Sequence, residues 1–342
     1  METLSDAGEF GLIRGIRRLL KKAGATGTGV VLGVGDDTAA MTPTPGHDLL
    51  VTCDCMVEDR HFLKDVMSPY EIGRRAMAAN ISDIGAMGGI PRWALVSLGL
   101  ENDSLVPDVL EMYRGFLDQL NPLNAIIAGG NITRSKAGTF IDITLMGEVA
   151  RGRMVSRSGA RPGDAVLVSG FPGQAAAGLD LLLHGEDTGN SSEAMNLMEA
   201  YRNPDHRVLE GQCMAGTGLA NAMIDISDGL LADLGHICEE SNVGAELHEE
   251  VFPVSDALRW DALRKDMDPP RLVTRASDDY ELIVTCAPSN AEELKAAVAR
   301  VSLVPMTRVG WITGAAGRMD LVRRDGTRDS VEGEGWDHFS VL

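Results

Sequence analysis

The stretch SPYEIGRRAMAANISDIGAMGGIP, residues 68–91, is typical of one helix with both ends marked. Ser68 and Glu71 have the spacing of a capping box, and the proline that follows Ser68 suits the first helical position. After Gly88, a second glycine and then Pro91 block continuation, because proline lacks a backbone N–H and clashes with the preceding turn. The sequence therefore predicts a helix from about residue 68 to residue 88.

Apolar stretches lie on both sides of this helix. Residues 49–57 alternate in polarity, so Thr52 and Asp54 share one face of a predicted strand and Val51 lies on the other. Strands and helices follow each other without strict alternation, which predicts an α/β (α+β) fold with a mixed sheet in this half. The further predicted elements are helices at residues 9–22 and 107–120, strands at residues 93–100, 125–127, 140–149, 165–169, 222–227 and 282–286, and a closing hairpin that turns at residues 325–326.

The chain divides in two by length and by composition. At roughly 100 to 200 residues per domain, 342 residues suggest about two domains. A break rich in glycine, proline and charge lies at residues 157–164, just before a predicted strand. The predicted domains are residues 1–153 and 154–342.

Charge and cysteine content exclude several classes of protein. With 50 acidic and 31 basic residues the formal net charge is −19, which disfavours non-specific binding to a nucleic-acid backbone. No stretch reaches the roughly 18 apolar residues of a membrane span, and the N-terminus lacks the pattern of a secretory signal. Five cysteines without C-x-x-C spacing disfavour a disulfide framework and a zinc site. We therefore expect a reducing compartment, most simply the cytoplasm.

Carboxylates recur at turns and strand positions in the first half. Asp37 ends a glycine-rich turn, where a purely structural role and a role as a ligand are equally favoured. Asp54 is in mid-strand, where propensity disfavours a lone aspartate, and Asp83 lies in the capped helix among small and apolar neighbours. Such a carboxylate must be paired, hydrogen-bonded or bound to metal, because burying it alone is costly. Residues 129–135, GGNITRS, are in isolation more typical of a tight loop than of a site.

The second half contains two similar arrangements. Asp225, Ser227 and Asp228 end a predicted strand and open a helix, and Asp228 is predicted as the N-cap of that helix. That reading leaves Asp225 unexplained. Residues 277–281, SDDYE, are arranged similarly at the start of another predicted strand. A purely structural role and a binding role explain them equally well.

The chemistry that these residues share is ligation by oxygen. Carboxylates without Cys or His clusters suit Mg²⁺, which usually keeps waters and shares phosphate oxygens. Several carboxylates around Mg²⁺ and a nucleotide describe metal-assisted phosphoryl transfer. The chain has no P-loop, no protein-kinase motif, no complete dinucleotide fingerprint and no G-x-S-x-G elbow. Phosphoryl transfer would therefore use a different fold.

In their order and wording the motifs resemble those of the thiamine-monophosphate kinase family, in the ATP-binding superfamily that also contains aminoimidazole ribonucleotide synthetase. The resemblance covers nearly the whole chain, and the ordered set is much more specific than any one motif. The motifs are GEFGLI, GVGDDTA, CDCMVEDRHF, AANISDIGAMGGIP, GGNITRS, RSGARPGD, AMIDISDGLLADLGH, DDYEL and GWDHF.

The resemblance implies a protein of two domains. The N-terminal domain, a mixed sheet with helices, would bind ATP and several Mg²⁺ ions and form a homodimer through its sheet. The C-terminal α/β domain would be of the aminoimidazole ribonucleotide synthetase type. Thiamine monophosphate would take the γ-phosphoryl group of ATP directly. ATP and thiamine monophosphate are thus the expected ligands, with neither nucleic acid nor membrane as a partner.

The same resemblance assigns residues to roles. The implied Mg²⁺ ligands are Asp37, Thr52, Asp54, Asp83, Asn131, Asp225 and Asp228, of which Asp225 and Asp228 are also the implied catalytic residues. The implied ATP contacts are Tyr113, Gly130, Asn131, Arg157 and Ser227. The implied contacts to the acceptor are His61, Asp278 and Trp336.

The chain departs from the family pattern in three places. Asn131 stands where many members have a metal-binding aspartate. Ser277 and Asp278 replace a Gly-Glu pair, and Gly333 stands where some members have an aromatic residue. Two alternatives therefore stay open: a superfamily enzyme that acts on another small phosphorylated or carboxylated acceptor, and a non-catalytic homologue that binds Mg²⁺ and nucleotide.

Overall fold

The structure, a computed structural model, describes residues 2–24, 29–34, 37–185 and 191–331. The chain divides into two compact units. Unit 1 comprises residues 1–84 and 89–152, and unit 2 comprises residues 85–88 and 153–342. Each unit has its own sheet and its own buried apolar residues.

The described part of unit 1 is a four-stranded sheet with helices and a small two-stranded ribbon. Its strands are β1 (Val30–Leu32), β2 (Ala40–Met41), β3 (His47–Val57), β4 (Ile90–Leu100), β5 (Ile126–Arg134) and β6 (Phe140–Ala150), and its helices are α1 (Leu4–Ala23), α2 (Pro69–Ala86, whose last residues belong to unit 2) and α3 (Val106–Leu120). The sheet has the order β3-β6-β4-β5, in which β4 and β5 are parallel and the other neighbours antiparallel. The strands β1 and β2 form the ribbon.

Both predicted ends of α2 are confirmed. The N–H of Ser68 donates to Glu71 Oε2 at 2.6 Å, and the N–H of Glu71 donates to Ser68 Oγ at 3.3 Å, which is a capping box. At the other end Gly88 has φ +74°, and its N–H donates to the carbonyl of Gly85. A left-handed residue at this position ends a helix, and glycine adopts that conformation without strain.

The two faces of β3 differ as the alternation predicts. Leu50 and Met56 are buried, whereas Val51, Cys53 and Cys55 are exposed on the opposite face. The buried face also carries the polar positions 52 and 54, and it packs against α2 through hydrogen bonds described below.

The β1-β2 ribbon covers part of the other sheet face. Trp93 of β4 and Ile126 of β5 are buried there with Val30 and Met41 of the ribbon. The β3 edge of the same face carries Val51, which is 60% exposed. This face is therefore covered around Trp93 and Ile126 and open along β3.

One prediction about unit 1 was wrong. The glycines of GGNITRS lie inside β5, not in a loop. Gly130 has φ +154°, and a Cβ added to it would lie 1.9 Å from the Val96 carbonyl oxygen, so glycine allows close strand packing here. The predicted helix at residues 9–22 is confirmed: α1 is broken at Gly8, whose φ is +67°, and a short capped turn held by Thr3 and Asp6 precedes the break.

The described part of unit 2 is a seven-stranded sheet with helices on both faces. Its strands are β7 (Ala165–Ser169), β8 (Ala220–Asp225), β9 (Gly244–His248), β10 (Leu282–Cys286), β11 (Met306–Thr313), β12 (Met319–Val322) and β13 (Arg328–Val331), and its helices are α4 (Gln174–His184), α5 (Ser192–Arg202), α6 (Val208–Thr217), α7 (Leu230–Ser241), α8 (Asp256–Arg264), α9 (Pro270–Val273) and α10 (Ala291–Val298). The strand order is β13-β12-β9-β11-β7-β10-β8, in which β12 and β9 are parallel. The predicted closing hairpin is confirmed as β12-β13.

The strand β7 shows why its sequence is an unbroken apolar run. Val166 and Val168 pack into one cluster with α4, α5, α7 and α8, while Ala165 and Leu167 pack into another with α6 and α10. A strand that is buried on both faces has no polar side to alternate with. The two-unit mixed α/β fold predicted from the sequence is confirmed.

Candidate functional site

Three of the predicted metal ligands meet in unit 1. Thr52 and Asp54 alternate onto the α2 side of β3, while Asn80 and Asp83 lie one turn apart on α2. Thr52 Oγ1 donates a short hydrogen bond to Asp83 Oδ2, and the N–H of Asp54 donates to Asn80 Oδ1 at 3.2 Å. Asn80 is held in turn by donating from Nδ2 to the Ala76 carbonyl at 3.1 Å. The two elements thus present a hydroxyl and two carboxylates together.

Electrostatics at this cluster favours a cation. Burial, and secondly the charge of Asp83, raise the pKa of Asp54 to about 6. Two neighbouring carboxylates of this kind repel each other, and a divalent ion between them would remove the repulsion. All the donors are oxygens, the ligands that Mg²⁺ prefers, so these residues fit Mg²⁺.

The sheet register separates Asn131 from this cluster. Asp54, Val96 and Gly130 belong to one row across the sheet, whereas Asn131 belongs to the next row, with Cys55. Residues in one row point to the same face, and neighbouring rows point to opposite faces. Gly130 is therefore on the Asp54 side, and the Asn131 side chain is on the open side with Cys55.

The remaining candidates of unit 1 are dispersed. Asp37 is exposed, and His61 is partly buried with Nδ1 accepting the N–H of Val57 at 3.0 Å. Because Nδ1 accepts this bond, Nε2 is the nitrogen that carries the proton in the neutral ring. Tyr113 is only 4% exposed and packs edge-on against Phe116, and burial raises its pKa. Packing alone explains Tyr113, and its contact with a nucleotide stays a prediction.

In unit 2 the motif around Asp225 sits where β8 meets α7. Asp225 is the last residue of β8, pairs with Leu282 of β10 and is 2% exposed. Ser227 and Asp228 follow it in the connection to α7. Ser227 is exposed and Asp228 is partly buried, so the connection presents a hydroxyl and a carboxylate.

The prediction that Asp228 is the N-cap of this helix was wrong. The helix α7 begins at Leu230, and its N-cap is Gly229, which has φ +116° and no side chain to accept a bond. The capping acceptor is instead Asp233, one turn inside the helix. Its Oδ2 accepts the N–H groups of Ser227 at 3.0 Å, Asp228 at 3.0 Å and Gly229 at 3.1 Å.

Sequence reasoning missed Asp233 and a neighbour, His236. In the described residues, one ligand atom from each of Asp228, Asp233 and His236 lies within 4.8 Å of the others. Burial raises the pKa of Asp233 to about 7, against the lowering effect of its backbone hydrogen bonds. The D-x-x-H spacing of one helical turn was the signal in the sequence. An imidazole nitrogen suits Mg²⁺ less well than carboxylate oxygen does.

Most of the DDYEL motif serves the structure. Asp279 accepts the N–H of Gly173 on Oδ2 at 2.6 Å and the N–H of Ala175 on Oδ1 at 2.8 Å, which caps α4. Ser277 Oγ accepts the next N–H, from Ala176, at 3.0 Å. Burial raises the pKa of Asp279 to about 6. Asp278, partly buried, takes no part in this capping and is the residue of the motif that remains a candidate for ligand contact.

Two further predicted residues have no described binding geometry. Arg157 is exposed in the segment before β7, and its carbonyl accepts a hydrogen bond from Ser241 Oγ at 3.3 Å. Trp336, like Gly333, lies outside the described residues. The structure thus brings Thr52, Asp54 and Asp83 together in unit 1, and it brings Asp228 together with Asp233 and His236 in unit 2.

Comparison with known proteins places this arrangement in a family. The family of AIR synthase related proteins matches twice: its N-terminal domain at residues 35–149 and its C-terminal domain at residues 161–320. The thiamine-monophosphate kinase of Escherichia coli is 35% identical over 342 residues, which cover 98% of this chain and 99% of the relative. The chain belongs to the thiamine-monophosphate kinase family. It is therefore a kinase, and the resemblance seen in its motifs is confirmed.

Solved structures of the thiamine-monophosphate kinase family agree with this fold. The enzyme from Stenotrophomonas maltophilia matches with a TM-score of 0.81 and 32% identity, covering 93% of this chain and 97% of that one. The structure described as AaThiL complexed with AMPPCP and TMP matches with a TM-score of 0.76 and 33% identity, covering 99% of each chain. Among the helices in residues 2–24, 29–34, 37–185 and 191–331, none is long and apolar enough to span a membrane.

Proposed function

We propose that this kinase transfers the γ-phosphoryl group of ATP to thiamine monophosphate. An oxygen of the acceptor phosphate forms a bond to the γ-phosphorus while the bond to the β-phosphate oxygen breaks, giving ADP and thiamine diphosphate. The observation that carries the proposal is similarity over nearly the full length to thiamine-monophosphate kinases, one of which is described in complex with AMPPCP, an ATP analogue, and TMP.

Mg²⁺ is proposed to accompany ATP. When bound, Mg²⁺ neutralises charge on the transferring phosphates, and the cluster of Thr52, Asp54 and Asp83 is the best fit for it. Asp225 and Asp228 are proposed as further ligands at the β8-α7 connection, and the exposed Asp37 is proposed as a ligand in unit 1. The chain's own contribution is to hold anionic oxygens at fixed places, since phosphoryl transfer depends mainly on positioning and charge stabilisation.

Ligand contacts are proposed for the other predicted residues. His61 can donate from Nε2 to a phosphate oxygen if that nitrogen carries the proton, because Nδ1 is occupied as an acceptor. Asp278 can face the positively charged thiazolium ring of thiamine monophosphate, and Trp336 offers an aromatic surface to the same acceptor. The proposed ATP contacts are Tyr113, Gly130, Asn131, Arg157 and Ser227.

One assay separates the proposed function from its alternatives. Purified protein is incubated with ATP, Mg²⁺ and thiamine monophosphate, and both ADP and thiamine diphosphate are measured. Equal amounts of the two products are expected. ADP formation only with a different phosphorylated or carboxylated acceptor would favour another superfamily enzyme. Tight binding of Mg²⁺ and AMPPCP without any turnover would favour a non-catalytic homologue.

A homodimer is proposed on the open face of the unit 1 sheet. Leu49, Val51 and Val57 of β3 are exposed apolar side chains on one face, interleaved with Cys53 and Cys55. A contiguous apolar strip of this kind is unfavourable in water, and a second copy of the chain would cover it. In a two-fold symmetric contact each copy contributes the same residues, so one substitution acts twice.

Val51→Lys is therefore expected to convert the dimer to a monomer at micromolar concentration. The reason is that two lysines would be buried in the symmetric contact without partners. Light scattering after size exclusion measures the mass, and Leu303→Lys serves as the control because Leu303 is fully exposed in unit 2. A wild-type protein that is monomeric yet retains its ATP-dependent activity would disprove this interface.

Asn131→Asp is expected to lower the Mg²⁺ concentration at half-maximal rate several-fold. A carboxylate brings a full negative charge to a divalent ion, whereas an amide offers only a neutral carbonyl oxygen. Asn131 and Asp54 point to opposite faces of the sheet, so an ion at Asn131 is separate from the ion proposed at Asp54. The effects of substitutions at the two residues on the Mg²⁺ dependence should therefore be additive. Initial rates are measured against Mg²⁺ concentration.

The control for Asn131 is Thr133→Asp, which adds the same charge two residues along the same face of β5. This variant should leave the Mg²⁺ dependence near that of the wild type. If Asn131→Asp behaves in the same way, residue 131 is not a metal ligand. A wild-type protein without turnover that gains activity through Asn131→Asp would instead favour the non-catalytic homologue.

A further inference from the structure

The start of α7 is unusual in where its N–H groups point. The helix begins at Leu230 with Gly229 as its N-cap, so the residues just before it form a turn. Here the N–H groups of Ser227, Asp228 and Gly229 all donate to one atom, Oδ2 of Asp233, at 3.0 to 3.1 Å. The carboxylate thus joins the turn before α7 to the first turn of the helix.

This arrangement affects the two side chains that precede the helix. With three consecutive N–H groups bound to one oxygen, the backbone of Ser227, Asp228 and Gly229 is held as a rigid turn, and Gly229 supplies the φ of +116° that the turn requires. Asp233 is 2% exposed, so its bonds are shielded from water. The directions in which Ser227 and Asp228 project are therefore set by Asp233.

We propose that Asp233 is a positioning residue: it shapes the turn that aims Ser227 and Asp228 at the nucleotide and its Mg²⁺. The inference rests on the proposed function, because Ser227 and Asp228 are the proposed contacts to ATP and Mg²⁺.

The geometry of the three hydrogen bonds allows the shape of the residue 233 side chain to be tested separately from its charge. All three bonds end on one oxygen, so asparagine, which keeps one carbonyl oxygen at the same distance from the backbone, can replace Asp233. Glutamate keeps the charge but moves its oxygens by one methylene. Asp279 makes a useful contrast, because its two bonds end on two different oxygens and asparagine could keep only one of them.

The test compares Asp233→Asn with Asp233→Glu. Each variant and the wild type are titrated with AMPPCP at several Mg²⁺ concentrations by calorimetry, and kcat and KM for ATP are measured separately. Asp233→Asn is expected to stay within about threefold of the wild type in nucleotide affinity and kcat. Asp233→Glu is expected to lose roughly 10- to 100-fold in Mg²⁺-dependent affinity or kcat, the usual cost of disturbing a residue that orients a ligand.

Two results would overturn the proposal. If Asp233→Asn is as impaired as Asp233→Glu, the charge of Asp233 matters and the residue is a direct ligand. If both variants show wild-type nucleotide and Mg²⁺ behaviour and only their denaturation midpoints fall, the role of Asp233 is purely structural. Because calorimetry needs no acceptor, a wild-type protein that fails to phosphorylate thiamine monophosphate would count against the proposed function and would leave this test valid.

Discussion

Asp83→Ala is expected to lower kcat/KM by roughly 10³-fold, the equivalent of about 4 kcal/mol of transition-state stabilisation. The substitution removes one of the two carboxylates at the proposed Mg²⁺ site and the acceptor of the hydrogen bond from Thr52. Since the charge of Asp83 contributes to the raised pKa of Asp54, its loss also relieves repulsion. Without metal, the free energy of unfolding of the variant should therefore be no lower than that of the wild type. The same loss of turnover is expected for Asp225→Ala.

The measurements that check this are steady-state kinetics over a range of Mg²⁺ concentrations and urea denaturation with a chelator present. Asp103→Ala is the control, since Asp103 is an exposed aspartate in the same unit and should change neither quantity. Near-normal activity of Asp83→Ala at low millimolar Mg²⁺ would show that the metal is held elsewhere. A large loss of stability would show that Asp83 acts through the fold.

Arg207→Ala is expected to lower the free energy of unfolding by about 3–5 kcal/mol. Arg207 donates from Nε and Nη2 to the two carboxylate oxygens of Glu281 at 2.7 and 2.6 Å, and the Glu281 side chain is 5% exposed. Burial opposes the charge of Arg207, but the charge and hydrogen bonds of Glu281 outweigh it and raise the pKa of Arg207. Without Arg207, the buried Glu281 carboxylate would lose its charged partner and keep only the hydrogen bond that Ser169 Oγ donates among those described.

Urea denaturation gives this free energy directly. The control is Lys295→Ala, which breaks an ion pair with the exposed Glu292 on α10 and should cost about 1 kcal/mol or less. Arg207→Ala combined with Glu281→Leu should recover much of the loss, because the uncompensated charge is then gone. A loss below about 1 kcal/mol for Arg207→Ala alone would contradict the assignment of this pair as a buried one.

Local patterns in the sequence predicted the elements whose causes are themselves local. The capping box of Ser68 and Glu71, and the glycine at position 88, mark α2 correctly because a cap involves residues within one turn. The alternation along β3 identified the face of Thr52 and Asp54 for the same reason, since strand periodicity is a property of the strand alone. The acidic motifs also indicated an oxygen-rich metal site.

The wrong predictions concern residues whose role depends on a partner distant in the sequence or one turn further on. The pair of glycines that includes Gly130 is typical of a loop, but Gly130 lies in a strand. It is glycine because β4 packs too closely for a side chain at this position. Asp228 is well placed for a cap, yet Asp233 takes the backbone N–H groups. The role of Asp279 was left open by the sequence, and it caps α4, which lies more than a hundred residues earlier.

The sequence by itself determined the α/β class, the position and ends of α2, the two faces of β3 and the set of carboxylates from which a metal site can be built. Short-range spacing carries this information, because helix and strand periodicity and capping involve near neighbours. Only the tertiary structure decided which carboxylates meet and which ones serve the fold. Asp54 and Asp83 come together because β3 packs on α2, whereas the row of Asn131 faces the other way. Chain spacing does not specify such contacts, since they follow from how whole elements bury their apolar faces against one another.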